Sequence, residues 1–152
     1  MATMQLRLVT PDRTIVNDEV EEVLSRGIEG EFGVLPQHMP MVTPLPVGEL
    51  QYKKDGVWEH IAIGGGFIQV LPDGVTVVAD VAERSEEIDR ERAEAARRQA
   101  EQALTDAAAG EAQAEAQAQL QRALLRLRVA ERRHEGRRPR TIPGTNGHTD
   151  TG

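Results

Sequence analysis

Residues 75–100, VTVVADVAERSEEIDRERAEAARRQA, change their period part-way along. Val75-Thr76-Val77-Val78-Ala79 is β-branched and short, as a strand is. From Ser85 to about Arg133 there is no proline, and Ala, Glu, Gln, Arg and Leu dominate, all strong helix formers. The switch predicts a chain in two parts, strands first and helices after. The class is α+β rather than an alternation of the two.

Upstream of the switch, short strands alternate with turns. Gln5-Leu6-Arg7-Leu8-Val9 has the two-residue period of a half-buried strand, and Pro11-Asp12 follows as a turn. Val20–Leu24 reads as a second strand, and Val57–Ile63, entered from Lys54-Asp55-Gly56, as a third. Phe67–Leu71 and Val75–Ala79 flank Pro72-Asp73-Gly74, a hairpin signal. Many short strands with Gly- and Pro-rich turns predict a sandwich or small barrel over residues 1–84.

Downstream, Gly110 interrupts the helical run and divides it into helices over about 88–107 and 112–134, a hairpin within residues 85–135. Asp89 is placed to cap the first helix. The predicted inner face of helix one is Ala93, Ala96, Ala100, Ala103 and Leu104. That of helix two is Ala116, Leu120, Ala123, Leu124, Leu127 and Ala130. Such small residues bury little area at about 25 cal/mol per Å², so the hairpin is expected to be held weakly. Residues 136–152 have no apolar period and read as a disordered tail.

Composition narrows the function. Aromatic residues make up 3% of the chain, so the core must be built from Val, Leu and Ile. With no Cys, disulfides, thiolate metal sites and cysteine nucleophiles are excluded. No stretch approaches the ~18 apolar residues of a membrane span. The N-terminus lacks the pattern of a signal peptide. The expectation is a soluble chain that meets a membrane only through a partner. The net charge of −7 argues against nucleic acid as the main target. Residues 122–140 depart from that balance, with 8 Arg against 2 acids, and suit an acidic partner as well as a solvated helix face.

Few residues suggest chemistry. Between Gly27 and Pro40, glycines and prolines frame an apolar tip from Phe32 to Leu35, with Glu31 and His38 on either side. The pair could serve as acid and base, but no second His stands at metal-ligand spacing and no nucleophile stands beside a base. A rigid docking loop fits better. Gly64-Gly65-Gly66 opens no helix and is followed by no Gly-Lys-Ser/Thr, so it predicts a bulge or close backbone approach, not a phosphate loop. Arg122 and Arg126 share a face of helix two, and a folded-back hairpin could bring Arg92 to them. Converging guanidiniums need carboxylates or phosphates.

Four features together carry a resemblance: GEFGVLPQHMPMVTPL from Gly30, the GGGF strand near residue 65, Ala82-Glu83-Arg84, and the IDxxRA-like run at 88–93. Over about residues 4–133 the chain resembles the epsilon subunit of bacterial and chloroplast-type ATP synthases. The resemblance implies a ten-stranded β-sandwich followed by an antiparallel two-helix hairpin. It implies a non-catalytic place in the central stalk of a proton-translocating synthase. The partners would be the gamma subunit, the c-subunit ring and the beta and alpha catalytic-head subunits, at the cytoplasmic face of a bacterial plasma membrane.

The family's ring-contacting loop maps onto Glu31, Phe32, Gly33 and His38. Its mobile inhibitory element maps onto the hairpin, with Arg122, Arg126, Arg128, Arg132 and Arg133 placed to meet an acidic segment of beta. The further arginines and the Pro/Gly ending depart from the family's usual short ending and leave the helix's end open. Some members bind regulatory ATP through I/L-D-x-x-R-A, which Ile88, Asp89, Arg92 and Ala93 match, as Glu83, Arg122 and Arg126 match further positions used there. No cofactor is otherwise implied. Two other readings stand beside this one: a free-standing nucleotide-sensing module, and a small β-barrel enzyme using Glu31 and His38.

Overall fold

The computed structural model describes residues 2–135, with side chains to Arg132. The predicted tail, 136–152, and the Arg133 side chain lie outside the described residues. Strands β1 (Met4–Val9), β2 (Thr14–Val20), β3 (Glu22–Gly27), β4 (Gly30–Val34), β5 (Met41–Lys54), β6 (Val57–Leu71), β7 (Gly74–Ala79) and β8 (Ala82–Arg84) come first. A 3₁₀ turn at Ser85–Glu87 leads into helices α1 (Arg90–Asp106) and α2 (Glu111–Glu135). The strands run β2-β1-β7-β6-β5-β3-β4, with β8 added on β6. β1 and β7 are parallel and every other pair is antiparallel.

The sheet closes over itself around one core. Leu6, Leu8, Val16, Val20, Leu50, Tyr52, Ile61, Ile68 and Val77 share it, although their strands are spread across the order. Arg84 crosses between layers, donating from Nη2 to the Ile15 carbonyl at 2.8 Å and from Nη1 to the Tyr52 hydroxyl at 3.3 Å. Burial raises the Tyr52 pKa, against the opposing effect of Arg84.

Eight strands stand where the resemblance implies ten, because β5 and β6 each run through a corner unbroken. In β5 the inward residues are Leu45 and then Gly48, Leu50 and Tyr52. In β6 they are Ile61 and Ile63 and then Ile68 and Val70. Both strands change parity where Pro46 faces Gly65, between the pairs Leu45↔Gly66 and Val47↔Gly64. A one-residue slip sends side chains to the other face, so each strand serves both layers. Glycine is required there: Gly65 and Gly66 have φ of 97° and 150°, and a Cβ on Gly66 would overlap the Val78 carbonyl oxygen. The expectation of a close backbone approach at Gly64-Gly65-Gly66 therefore holds.

Two strand expectations need correction. Val20–Leu24 is not one strand: β2 ends at Val20, β3 starts at Glu22, and the Glu21 N–H turns to the Lys53 carbonyl. The segment read as a docking loop is partly regular, since Glu31, Phe32 and Gly33 lie on β4 and pair with Arg26, Ser25 and Leu24. The glycines permit the tight Gly27↔Gly30 hairpin end rather than preventing a strand.

The hairpin forms as expected, with α1 starting two residues later than predicted, α2 one residue earlier, and Asp89 accepting from the Arg92 N–H at 3.1 Å. Its apolar faces differ in detail. Ala93, Ala100, Ala116, Ala123 and Ala130 are buried, but Ala103 and Leu124 are exposed. Leu125 and Val129 are buried instead, in a cluster with Ala62, Ile88, Ala93 and Ala130. Helix α2 therefore has two apolar faces, an alanine face for α1 and a Leu125–Val129 face for the sheet.

Candidate functional site

The hairpin lies against the outer face of β5 and β6, and the groups of interest gather along that seam. The six-residue cluster around Leu125 and Val129 forms its apolar floor. Two ion pairs flank the floor. Arg126 grips Glu83 of β8 in bidentate fashion, Nε to Oε1 at 2.7 Å and Nη2 to Oε2 at 3.1 Å. Arg132 grips Glu49 of β5 in the same way, at 3.0 and 3.1 Å. Planar guanidinium against planar carboxylate fixes orientation as well as charge, so both pairs set the angle at which α2 lies.

The second pair is the more buried. The side chains of Arg132 and Glu49 are 19% and 9% exposed, against 27% and 26% for Arg126 and Glu83. His60, 7% exposed, brings Nδ1 to 2.9 Å from Glu49 Oε2. Glu49 pairs with Ala62 and His60 with Gln51, so the two are diagonal neighbours on one face. A carboxylate only accepts, so Nδ1 carries the proton and donates. Burial alone would raise the Glu49 pKa, but the hydrogen bonds from His60 and Arg132 and their charge outweigh it and hold it below its ordinary value.

Of the residues that match the nucleotide signature, the structure brings some together and leaves others apart. Ile88 and Ala93 are buried in the seam cluster, and Glu83 and Arg126 are bound to each other. Asp89 caps α1, while Arg92 and Arg122 are exposed. Of Arg92, Arg122 and Arg126, the anticipated cluster, Arg126 is engaged by the Glu83 carboxylate. Arg128, like Arg122, is exposed. At the other end, Glu31 is exposed on β4 and Phe32 packs partly on the core. His38 is half-buried with Nδ1 2.8 Å from the Met39 carbonyl oxygen. The Gln37 N–H donates to the Pro72 carbonyl at 3.0 Å, tying this segment to the β6–β7 turn. Leu35, Met39 and Leu71 are exposed apolar side chains near that tie.

Sequence reasoning missed Glu49 and His60 as a pair. Each stands alone in its strand, and only the β5–β6 register makes them neighbours. Among the described residues no group of three or more His, Cys, Asp or Glu could hold a metal ion.

Two family patterns cover nearly all of the described chain. The ATP synthase Delta/Epsilon chain beta-sandwich domain matches residues 3–85, and the long alpha-helix domain of the same chain matches 86–131. The chain belongs to the ATP synthase delta/epsilon family. It is of the epsilon type, a non-catalytic subunit of the synthase complex. The ATP synthase epsilon chain of Herpetosiphon aurantiacus is 49% identical over 130 residues, 86% of this chain and 96% of its own length. That of Bacillus subtilis is 46% identical over 104 residues, 68% of this chain and 79% of its own. Among solved structures, a chain in the Euglena gracilis mitochondrial ATP synthase, an assembly of OSCP, F1 and c-ring, superposes with a TM-score of 0.71 at 27% identity. That match covers 80% of this chain and 77% of the other. A chain from the Tetrahymena thermophila enzyme, with TM-score 0.56 and 14% identity over 85% of this chain and 97% of its own, shares the fold.

No helix among the described residues is long and apolar enough to cross a membrane. Association with a membrane through the synthase complex is consistent with that and with the family.

Proposed function

We propose that this chain couples rotation of the central stalk to catalysis in a proton-translocating ATP synthase and restrains ATP hydrolysis through its hairpin. In this reading the strand-built part binds the gamma subunit and the c-ring at the cytoplasmic face of a bacterial plasma membrane. Glu31, Phe32, Gly33 and His38 form the ring contact, with Leu35 and Met39 exposed beside them. The hairpin is docked here, and lifting it frees Arg126 and Arg132 to join Arg122, Arg128 and Arg133 on acidic surfaces of the beta and alpha subunits.

The observation that carries the reading is the seam. A 25-residue helix is held to the sheet by one small cluster and ion pairs rather than by a shared core. Such an element separates at modest cost, as a two-state switch requires. ATP as a regulatory ligand fits the same seam, with Ile88 and Ala93 as apolar floor, Glu83 and Asp89 as acceptors, and Arg92, Arg122 and Arg126 as phosphate donors. For Arg126 this means exchanging a carboxylate for a phosphate, which its geometry permits.

The test is the assembled complex with this chain ending before Ile88. The expected result is unimpaired assembly, with gamma and c-ring subunits copurifying, and a higher ATPase rate. Unchanged hydrolysis would contradict the inhibitory role and leave the coupling role standing. Equilibrium dialysis of the full chain with ATP tests the ligand. Absence of binding at about millimolar ATP, or binding indifferent to Arg126→Ala, would contradict it.

A further inference from the structure

Glu49 is an acid in an unusual position. It sits mid-strand on β5, nine-tenths covered, beneath the end of α2. Isolated burial of a carboxylate is costly, and the cost is offset only where hydrogen bonds and opposite charge surround it. Here both come from different elements. His60 of β6 belongs to the same rigid sheet and remains when the hairpin leaves. Arg132 belongs to α2 and departs with it. Other charged groups around the site are Arg26 of β3, Glu31 of β4 and Arg128 of α2, which with Glu49 and Arg132 line a cleft of about 240 Å³.

Leu125, Val129 and Arg132 follow one another at i, i+4 and i+7, on one face of α2. The apolar contacts and the buried ion pair therefore form and break in one motion. Glu49 presents to Arg132 what an acidic partner surface would present, a carboxylate already oriented by a fixed donor.

We propose that Glu49, held by His60, is an intramolecular stand-in for an acidic partner surface, and that it latches the hairpin by sequestering Arg132. The latch rests on the reading of α2 as a basic contact element. While α2 is docked, Arg132 is withheld from partners, and Arg122 and Arg128 remain outward. Undocking exchanges one carboxylate for another, so the basic stretch is not presented in full until the latch opens. His60 is a positioning residue, which aims the Glu49 carboxylate from within the sheet.

The chain has no Cys, so single thiols report on opening. Ala130→Cys places one in the seam cluster, and Val77→Cys places one in the sheet core. Labelling with a small disulfide reagent is followed in the full chain, with and without Glu49→Gln, Arg132→Gln and both together. The expected result is about tenfold or greater acceleration at Ala130→Cys by either single change, no further gain in the double variant, and no change at Val77→Cys. His60→Gln accelerates labelling less, because Arg132 still binds. Unaltered labelling at Ala130→Cys, or additive effects in the double variant, would overturn the latch. Equal labelling at the two positions in the parent background would contradict hairpin opening itself. The latch then falls with it, whereas faster labelling at Ala130→Cys in the parent with additive effects in the double variant leaves hairpin opening standing and removes only the latch.

Discussion

The strand-built region and the hairpin hold themselves together by different means. The first encloses a cluster of 19 buried residues, with Leu6, Leu8, Leu50, Tyr52, Ile61 and Ile68 at its centre. The second meets the sheet, among the described residues, in a cluster of six that counts Ala62 of β6, three of them alanine. At about 25 cal/mol per Å², large aliphatic side chains stabilise the sheet far more per residue than alanines stabilise the seam. The contrast teaches where this protein is free to move. The strand-built part is held by what it buries, and the hairpin, which buries little and fixes its angle with ion pairs, is the part the proposed function requires to detach.

The largest expected effect comes from attacking the rigid part. Gly66→Ala sets a methyl group against the Val78 carbonyl and forces φ of 150° on a residue with a Cβ. Overpacking of roughly 1–3 kcal/mol and about 1 kcal/mol of backbone strain predict a loss of roughly 2–4 kcal/mol. Thermal unfolding of the full chain measures it. A melting temperature within a degree or so of the parent would remove the account of the corner. Leu125→Ala attacks the hairpin instead. Its cost, roughly 2–3 kcal/mol, is expected to fall on docking. Labelling at Ala130→Cys speeds up while the unfolding transition of the sheet stays in place. A matching fall in sheet stability would erase the distinction between the regions.

Lower pH sharpens the comparison. The Glu49 pKa is depressed while α2 is docked, chiefly by hydrogen bonds and charge from His60 and Arg132 acting against burial. A carboxylate pKa held down by docking stabilises the docked state above its undocked value, and that stabilisation is lost as pH falls through the docked value. Hairpin opening, measured with a thiol reagent indifferent to pH, is expected to increase as acid protonates Glu49, ahead of sheet unfolding. The effect disappears in Glu49→Gln. The smallest change is Asp89→Ala, which removes the cap of α1 and costs about 1 kcal/mol of local helix stability, seen as reduced helical circular dichroism near the midpoint of hairpin melting.

Much of this was legible in the residues. The Pro-free, Ala-rich run after Ser85 identified the hairpin, and Asp89 its start. The glycine triplet identified a close approach. The sequence was less informative where register decides. Neither the parity change at Pro46 and Gly65 nor the meeting of Glu49 with His60 follows from a period along one strand. Leu124 and Leu125 are adjacent, and helical spacing favoured Leu124 for the inner face where Leu125 is the buried one. The site residues divide in the same way. Motif matching found Glu83 and Arg126, but their bond to each other belongs to the docked arrangement of two separate elements.

Native-state hydrogen exchange of the full chain in increasing urea tests the separation of the two regions most directly. The account predicts that amides of α1 and α2 exchange through an opening of lower free energy and smaller urea dependence than amides of β5 and β6, joining them only near global unfolding. A single opening free energy shared by α2, β5 and β6 at every urea concentration would contradict it.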